Sequence, residues 1–179
     1  MHTNNSAPID ALLLEWFGTL QPNGAVDPEF RKRWWTKDAA FDAHLRERWG
    51  DMLRSARTGE LNSWAQTPQG ALALVILLDQ FSRNIHRDTK EMFAADPQAL
   101  AIAKQALSQG FHQALPYEQR VFLYMPLMHS EDLNDQEQCI SLFKHLVAEA
   151  PSPLSEHFNT NVDFAIRHRD IIQRFGRFP

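Results

Sequence analysis

The apolar residues of the chain recur at three- and four-residue steps almost from end to end, which is the spacing of one helical face. From Thr36 to Arg57 they fall at Phe41, Leu45, Trp49, Met52 and Ala56. Gly50 weakens that helix and Gly59 is placed to stop it. The last helix carries Leu154, Phe158, Val162, Ala165, Ile172 and Phe175, with Gly176 as its stop. A first helix carries Ile9, Leu12, Leu13, Trp16 and Phe17, capped by Ser6 or Asp10 and ended by Gly18. Asp27-Pro28-Glu29 opens a short second helix that Trp34 and Trp35 close. There Asp caps, proline takes the first helical position where a missing N–H costs nothing, and Glu sits in the favourable first turn. Thr67-Pro68-Gln69 and Asp96-Pro97-Gln98 repeat the device, the latter helix stopping at Gly110. Pro116-Tyr117-Glu118 starts a helix in which Pro126 is expected to produce a kink or local break. Ile140, Phe143 and Val147 mark another, stopped by Pro151 and Pro153.

One stretch departs from the amphipathic pattern. Ala71 to Leu78 is apolar at every position, and Asp79, Gln80, Arg83, Asn84, His86 and Arg87 follow at once. A helix apolar on all sides is buried. Its last turns therefore carry charges inward, which is costly unless they find partners. No convincing period-two alternation occurs, and the connections are short or polar. The expected architecture is a single all-α domain over residues 1–179, about eight or nine helices packed antiparallel in layers. No exact repeat is visible, although the pacing of helix pairs is compatible with a diverged solenoid.

Composition adds few constraints. Hydrophobic residues make up 44% and charged residues 22%, ordinary for a globular domain. The net charge of -4 does not suggest a nucleic-acid or anionic-membrane partner. The single cysteine, Cys139, excludes an internal disulfide framework and is expected to be packed rather than reactive. The start, MHTNNSAPID, has no basic-then-apolar leader, and the longest apolar run falls far short of a bilayer span. A cytoplasmic protein is the resulting expectation. Oligomeric state is not legible, since tryptophans such as Trp34 and Trp64 suit a core or an interface.

Three polar clusters carry the candidate chemistry. In the first, Asp79 and Arg83 are spaced as an intrahelical ion pair. Gln80, Arg83 and Arg87 either tie a helix end to nearby backbone or form an anion site, with His86 able to change charge near neutrality. In the second, His129-Ser130-Glu131-Asp132, His129 and Glu131 suit acid–base or metal chemistry, and Ser130 is a nucleophile if His129 faces it. The simpler reading makes Ser130 an N-cap with acidic residues in the first turn. The third holds Arg167, His168, Arg169, Asp170, Arg174 and Arg177. Asp163 with Arg167 and Asp170 with Arg174 are spaced as i,i+4 pairs. Arg169 falls on the apolar stripe and is expected to point inward, towards a carboxylate of the chain or a ligand. His86, His129, His168 and Glu131 are the conceivable metal ligands, but no pair has a diagnostic spacing, so neither a metal nor another cofactor is expected. Phosphate-loop, dinucleotide, zinc-protease and nucleophile-elbow motifs are absent.

Three stretches, LLDQFSRNIHR (Leu77 to Arg87), EQRVFLYMPLMHSED (Glu118 to Asp132) and HRDIIQRFGRFP (His168 to Pro179), resemble a bacterial family known as domain of unknown function 924. With the tryptophan-bearing first helix and FAADPQAL (Phe93 to Leu100), the resemblance covers essentially the whole chain. It implies a fold similar to tetratricopeptide-like superhelices, and it carries no catalytic residue with it. The family's last motif usually runs a few polar residues past its proline, whereas the sequence here stops at Pro179. The resemblance also implies that the three polar clusters form one site.

The expected function is a binding module. Its concave face would present Asp79, Gln80, Arg83, Asn84, Arg87, His129, Glu131, His168 and Arg169 to an anionic small molecule or an acidic peptide. An enzyme reading is the rival: a hydrolase with His129 or His168 as base, oriented by Glu131 or Asp79, with or without a metal. A scaffold in which the clusters only lock helices together is the third.

Overall fold

The computed structural model describes residues 6–179, and among these there is no strand. The α-helices are α1 (Ser6–Phe17), α2 (Pro28–Trp34), α3 (Ala39–Arg57), α4 (Pro68–Val75), α5 (Ser82–Ile85), α6 (Asp96–Ser108), α7 (Tyr117–Met128), α8 (Leu133–Glu149) and α9 (Leu154–Phe175). Short 3-10 turns lie at Asn62–Gln66, Lys90–Phe93 and Phe111–Ala114. A π-helical turn, Ile76–Phe81, joins α4 to α5, so the three form one continuous rod and the described chain has eight. None of the described helices is long and apolar enough to cross a membrane.

The rod is the centre of the protein. Every residue from Ala71 to Leu78 is at most 1% exposed, because α1, α3, α6 and α7 surround it. Burial of that all-apolar run is a hydrophobic gain of roughly 25 cal/mol per Å2 of apolar surface. Its entry is fixed by Thr67, whose hydroxyl accepts the Gly70 N–H at 3.1 Å. Gly70 is required there by space rather than by backbone freedom: a Cβ would meet the Trp64 carbonyl oxygen at 2.1 Å. A second helix is also almost wholly buried, since α7 hides every residue from Val121 to Met128.

An aromatic cluster joins the N-terminal helices to this core. The Trp16 ring lies 6.2 Å from Trp34, 5.6 Å from Phe81 and 5.5 Å from Phe122. Phe81 ends the π turn and Phe122 lies on α7, so Trp16 braces the two elements that meet at the polar site. Beyond α7, helices α8 and α9 each pack on the one before.

Most predicted boundaries hold, and the exceptions have local causes. Asp27 caps α2 by accepting the Glu29 N–H, as expected. Helix α3 starts at Ala39 rather than Thr36 because Asp38 accepts the Ala40 and Phe41 N–H groups. α1 is already helical at Ser6, so Asp10 lies within it and its start falls at the boundary of the described residues. Pro126 does not break α7, which continues to Met128 although the proline has no N–H to donate to the Phe122 carbonyl. Ser130 is not the cap of α8. Asp132 holds that position through the Asn134 N–H at 2.7 Å. Asp96 is not a cap either, for it is the first helical residue of α6 and its carboxylate is engaged elsewhere.

Candidate functional site

The π turn sets the site. Such turns interrupt the regular i→i−4 ladder and are often found where function needs an unusual side-chain placement. Here Asp79 and Gln80 face the end of α7 from inside the core, at 0% and 6% exposure. An unpartnered carboxylate could not be held there. Asp79 makes four contacts with three partners: its Oδ1 lies 2.7 Å from His129 Nδ1 and 3.0 Å from Arg83 Nη1, its Oδ2 accepts from Gln80 Nε2, and its backbone carbonyl accepts from Arg83 at 3.2 Å. Burial alone would raise the Asp79 pKa, but the charges of His129 and Arg83 and the hydrogen bonds to the carboxylate outweigh it and hold the group below the usual range.

Arg83 bridges two carboxylates. Besides Asp79 it makes a bidentate pair with Asp96, 2.7 Å from Nη1 to Oδ1 and 3.0 Å from Nη2 to Oδ2. Burial disfavours its charge, yet the two carboxylates more than compensate and raise its pKa. This explains why Asp96 gives up the capping role that its sequence context suggests. A bidentate fork between two charged groups is stronger than a single cap hydrogen bond from a neutral backbone N–H to the carboxylate.

His129 closes α7. In the neutral ring Nδ1 donates to Asp79, and Nε2 has no partner among the described residues. Its ring lies 6.5 Å from that of His168 on α9. The Nδ1 of His168 donates to the Phe164 carbonyl at 2.8 Å, which leaves Nε2 as the acceptor in the neutral form. Burial, more than the opposing carbonyl contact, lowers the His168 pKa, and His129 lowers it further.

Both imidazoles line two cavities. The smaller, about 490 Å3, is walled mainly by Trp34, Trp35, Met125, Met128, Phe158 and Phe164, with the Arg31–Glu118 ion pair at its edge. The larger, about 710 Å3, holds Arg83, Asp96, Glu131 and the C-terminal Phe178. Glu131 accepts the Phe178 N–H at 2.9 Å, and the Phe178 ring packs on His168.

The structure therefore brings together Asp79, Gln80, Arg83, His129, Glu131 and His168. Three other predicted residues lie apart. Arg87 and Asn84 both bind Asp42 on α3, the guanidinium at 2.5 and 2.9 Å and the amide at 2.8 Å. Burial opposes that charge, but Arg87 and Asn84 prevail and lower the Asp42 pKa. Arg169 does not reach either cavity. It spans from α9 to Glu137 of α8 and to its neighbour Asp170, which also displaces the expected Asp170–Arg174 pair. Arg174 instead lies over the Phe175 ring and Arg167 over Phe164. Ser130 is no nucleophile for His129, since its hydroxyl donates to Asp135 at 2.7 Å and accepts the Asp132 N–H. His86 lines neither cavity. No three His, Cys, Asp or Glu side chains among the described residues are grouped to hold a metal ion. Sequence reading missed Asp96 as a member of the site and the tryptophan wall altogether. Adjacent Trp34 and Trp35 beside a charged helix were the signal that could have found the latter.

A family model described as a bacterial protein of unknown function (DUF924) matches residues 12–179. Among solved structures, the chain is similar to the protein of unknown function ATU0120 from Agrobacterium tumefaciens, with 35% identity and a TM-score of 0.81 over 98% of this chain and 88% of that one. No curated protein matches. The match runs through α1 to α9 and takes in Asp79, His129 and His168, and the chain belongs to the DUF924 family of bacterial proteins.

Proposed function

We propose that the chain is a small-molecule-binding module whose pocket centres on His129 Nε2. The observation that carries this reading is the buried Asp79 carboxylate at 2.7 Å from Nδ1, which orients a ring that lines both cavities and leaves its far nitrogen without a partner among the described residues. A mostly apolar cavity with a few fixed polar groups is what a small organic ligand requires. The anion-binding version loses ground on these contacts, because Arg83, Arg87 and Arg169 are already paired with carboxylates of the chain. The fold reading that accompanies it is tetratricopeptide-like, supported by the successive packing of α6, α7, α8 and α9 through short links. A cytoplasmic location accords with the single buried thiol.

A fragment panel followed by ligand-observed NMR and thermal shift tests the reading. Fragments are expected to compete for one site and to lose binding in His129→Gln, while Arg169→Lys keeps it. Absence of any hit, or hits that survive His129→Gln, would sink it. The same carboxylate–imidazole pair favours a second reading, acid–base hydrolysis with water as the nucleophile. Ester or amide turnover lost in His129→Gln and kept in Ser130→Ala would select it.

A further inference from the structure

The unengaged polar groups of the larger cavity are mostly acceptors. Arg83 points both terminal nitrogens at Asp79 and Asp96, which leaves its Nε–H and one Nη2 N–H, and Ser130 donates to Asp135. Beside those two donors stand three acceptors, His129 Nε2, His168 Nε2 and the Glu131 oxygen that does not hold the Phe178 N–H. The charge balance points the same way. Asp79, Asp96 and Glu131 are three carboxylates set against the guanidinium of Arg83 and, in its protonated form, the imidazolium of His129, so the carboxylates are in excess in either form. An anion entering this cavity meets net repulsion, and a cation meets attraction.

A metal ion does not suit the spacing. Imidazole nitrogens bind zinc at about 2.0–2.1 Å, and the acidic and imidazole side chains here are not grouped that tightly. Hydrogen bonds reach about 2.9 Å, so a group that donates rather than coordinates fits the wider opening. An ammonium carries three donors and no acceptor. The Phe178 ring at the same cavity offers a face that attracts organic cations, while Phe93 already has the Arg83 guanidinium 5.5 Å from its ring centre.

We propose that this pocket binds an organic primary ammonium: the –NH3+ donates to His129, His168 and Glu131, and the apolar body extends past the imidazoles into the cavity walled by Trp34, Trp35 and Phe164. The proposal rests on the binding reading above and names its ligand class. It reverses the anionic ligand that the arginine-rich sequence suggests. His168 is kept neutral, and so able to accept, by the burial that lowers its pKa.

Isothermal titration of the full chain at pH 7.5 tests it with three near-isosteric probes: 2-phenylethylamine, 2-phenylethanol and phenylacetate. The amine is expected to bind at least tenfold tighter than the alcohol, and the carboxylate weakest of the three. In Glu131→Gln, a change at an exposed position, the amine is expected to lose its advantage while the alcohol keeps its affinity. An alcohol equal to the amine, or a carboxylate that binds better, overturns the ammonium assignment and leaves the binding reading standing if His129→Gln abolishes that binding. An amine advantage that persists in Glu131→Gln also overturns it. Failure of all three probes and of the wider fragment panel overturns both.

Discussion

Asp79→Ala is expected to cost about 3–5 kcal/mol of folding stability, the range for removing one partner of a buried ion pair. The carboxylate is 0% exposed and satisfies His129, Gln80 and Arg83 at once. Its loss strands the Gln80 amide and the His129 N–H in a space water cannot easily fill. Arg83 retains its fork on Asp96, which should place the cost towards the lower end. The pH dependence follows from the lowered pKa. A carboxylate whose native pKa lies below its unfolded value of about 3.9 contributes fully above that value, and the contribution drains away as pH falls through the native one. Urea unfolding between pH 7 and pH 2 should therefore show the wild type losing its advantage over Asp79→Ala only below about pH 4. A gap that stays constant to pH 2 would mean that the charge of Asp79 is not what stabilises the core.

Trp16→Ala is the second large effect, with an expected loss of about 3–5 kcal/mol, the range for truncating a buried aromatic side chain to alanine. Trp16 is 1% exposed and packs on Trp34, Phe41, Phe81 and Phe122. Removing the indole opens a cavity between α1, α7 and the end of the π turn. The hydrogen bond from Trp34 Nε1 to the Trp16 carbonyl is a backbone contact and survives, so the loss measures packing rather than that bond. Leu14 on the same helix is 56% exposed, and Leu14→Ala is expected to stay within about 0.5 kcal/mol. The midpoint of urea unfolding followed by circular dichroism distinguishes the two. Equal losses would contradict the placement of α1.

Helix ends were the most legible part of the chain, because their chemistry is local. Asp27 and Thr67 cap where the sequence says they should, and positive-φ glycines stand at the helix stops Gly18 and Gly176. The burial of Ala71 to Leu78 was legible for the same reason: a run apolar on every side has one place to go. The π turn was not. Ile76–Phe81 has no periodicity that separates it from an ordinary α-helix, and its geometry depends on contacts from α3, α6 and α7. Asp96 was misread because its local signal, an Asx before proline, competes with a long-range one, the Arg83 fork from thirteen residues away. Arg169 shows a similar limit. Periodicity gave its stripe, but a long side chain at the rim of a stripe can reach sideways, and it found Glu137 across the helix pair.

The candidate site was legible as a set of residues and not as a charge. Asp79, Arg83, His129 and His168 stood out from their places beside buried segments, and they do meet. Which of them keeps a free valence depends on partners far apart in the chain. The arginines suggested an anion pocket, yet each meets a carboxylate, and the groups left open are mostly acceptors.

Nitrogen-detected NMR of the imidazole rings tests the central claim most directly, because it reports which ring nitrogen of His129 bears the proton. In the neutral imidazole of His129, Nδ1 is expected to be protonated and Nε2 bare, and the Nε2 resonance is expected to move on addition of 2-phenylethylamine. His145, exposed and bonded to its own helix at Ser141, serves as the unmoved control. A proton on Nε2 with Nδ1 bare, or an Nε2 resonance that ignores bound amine, would contradict a ligand site built on His129.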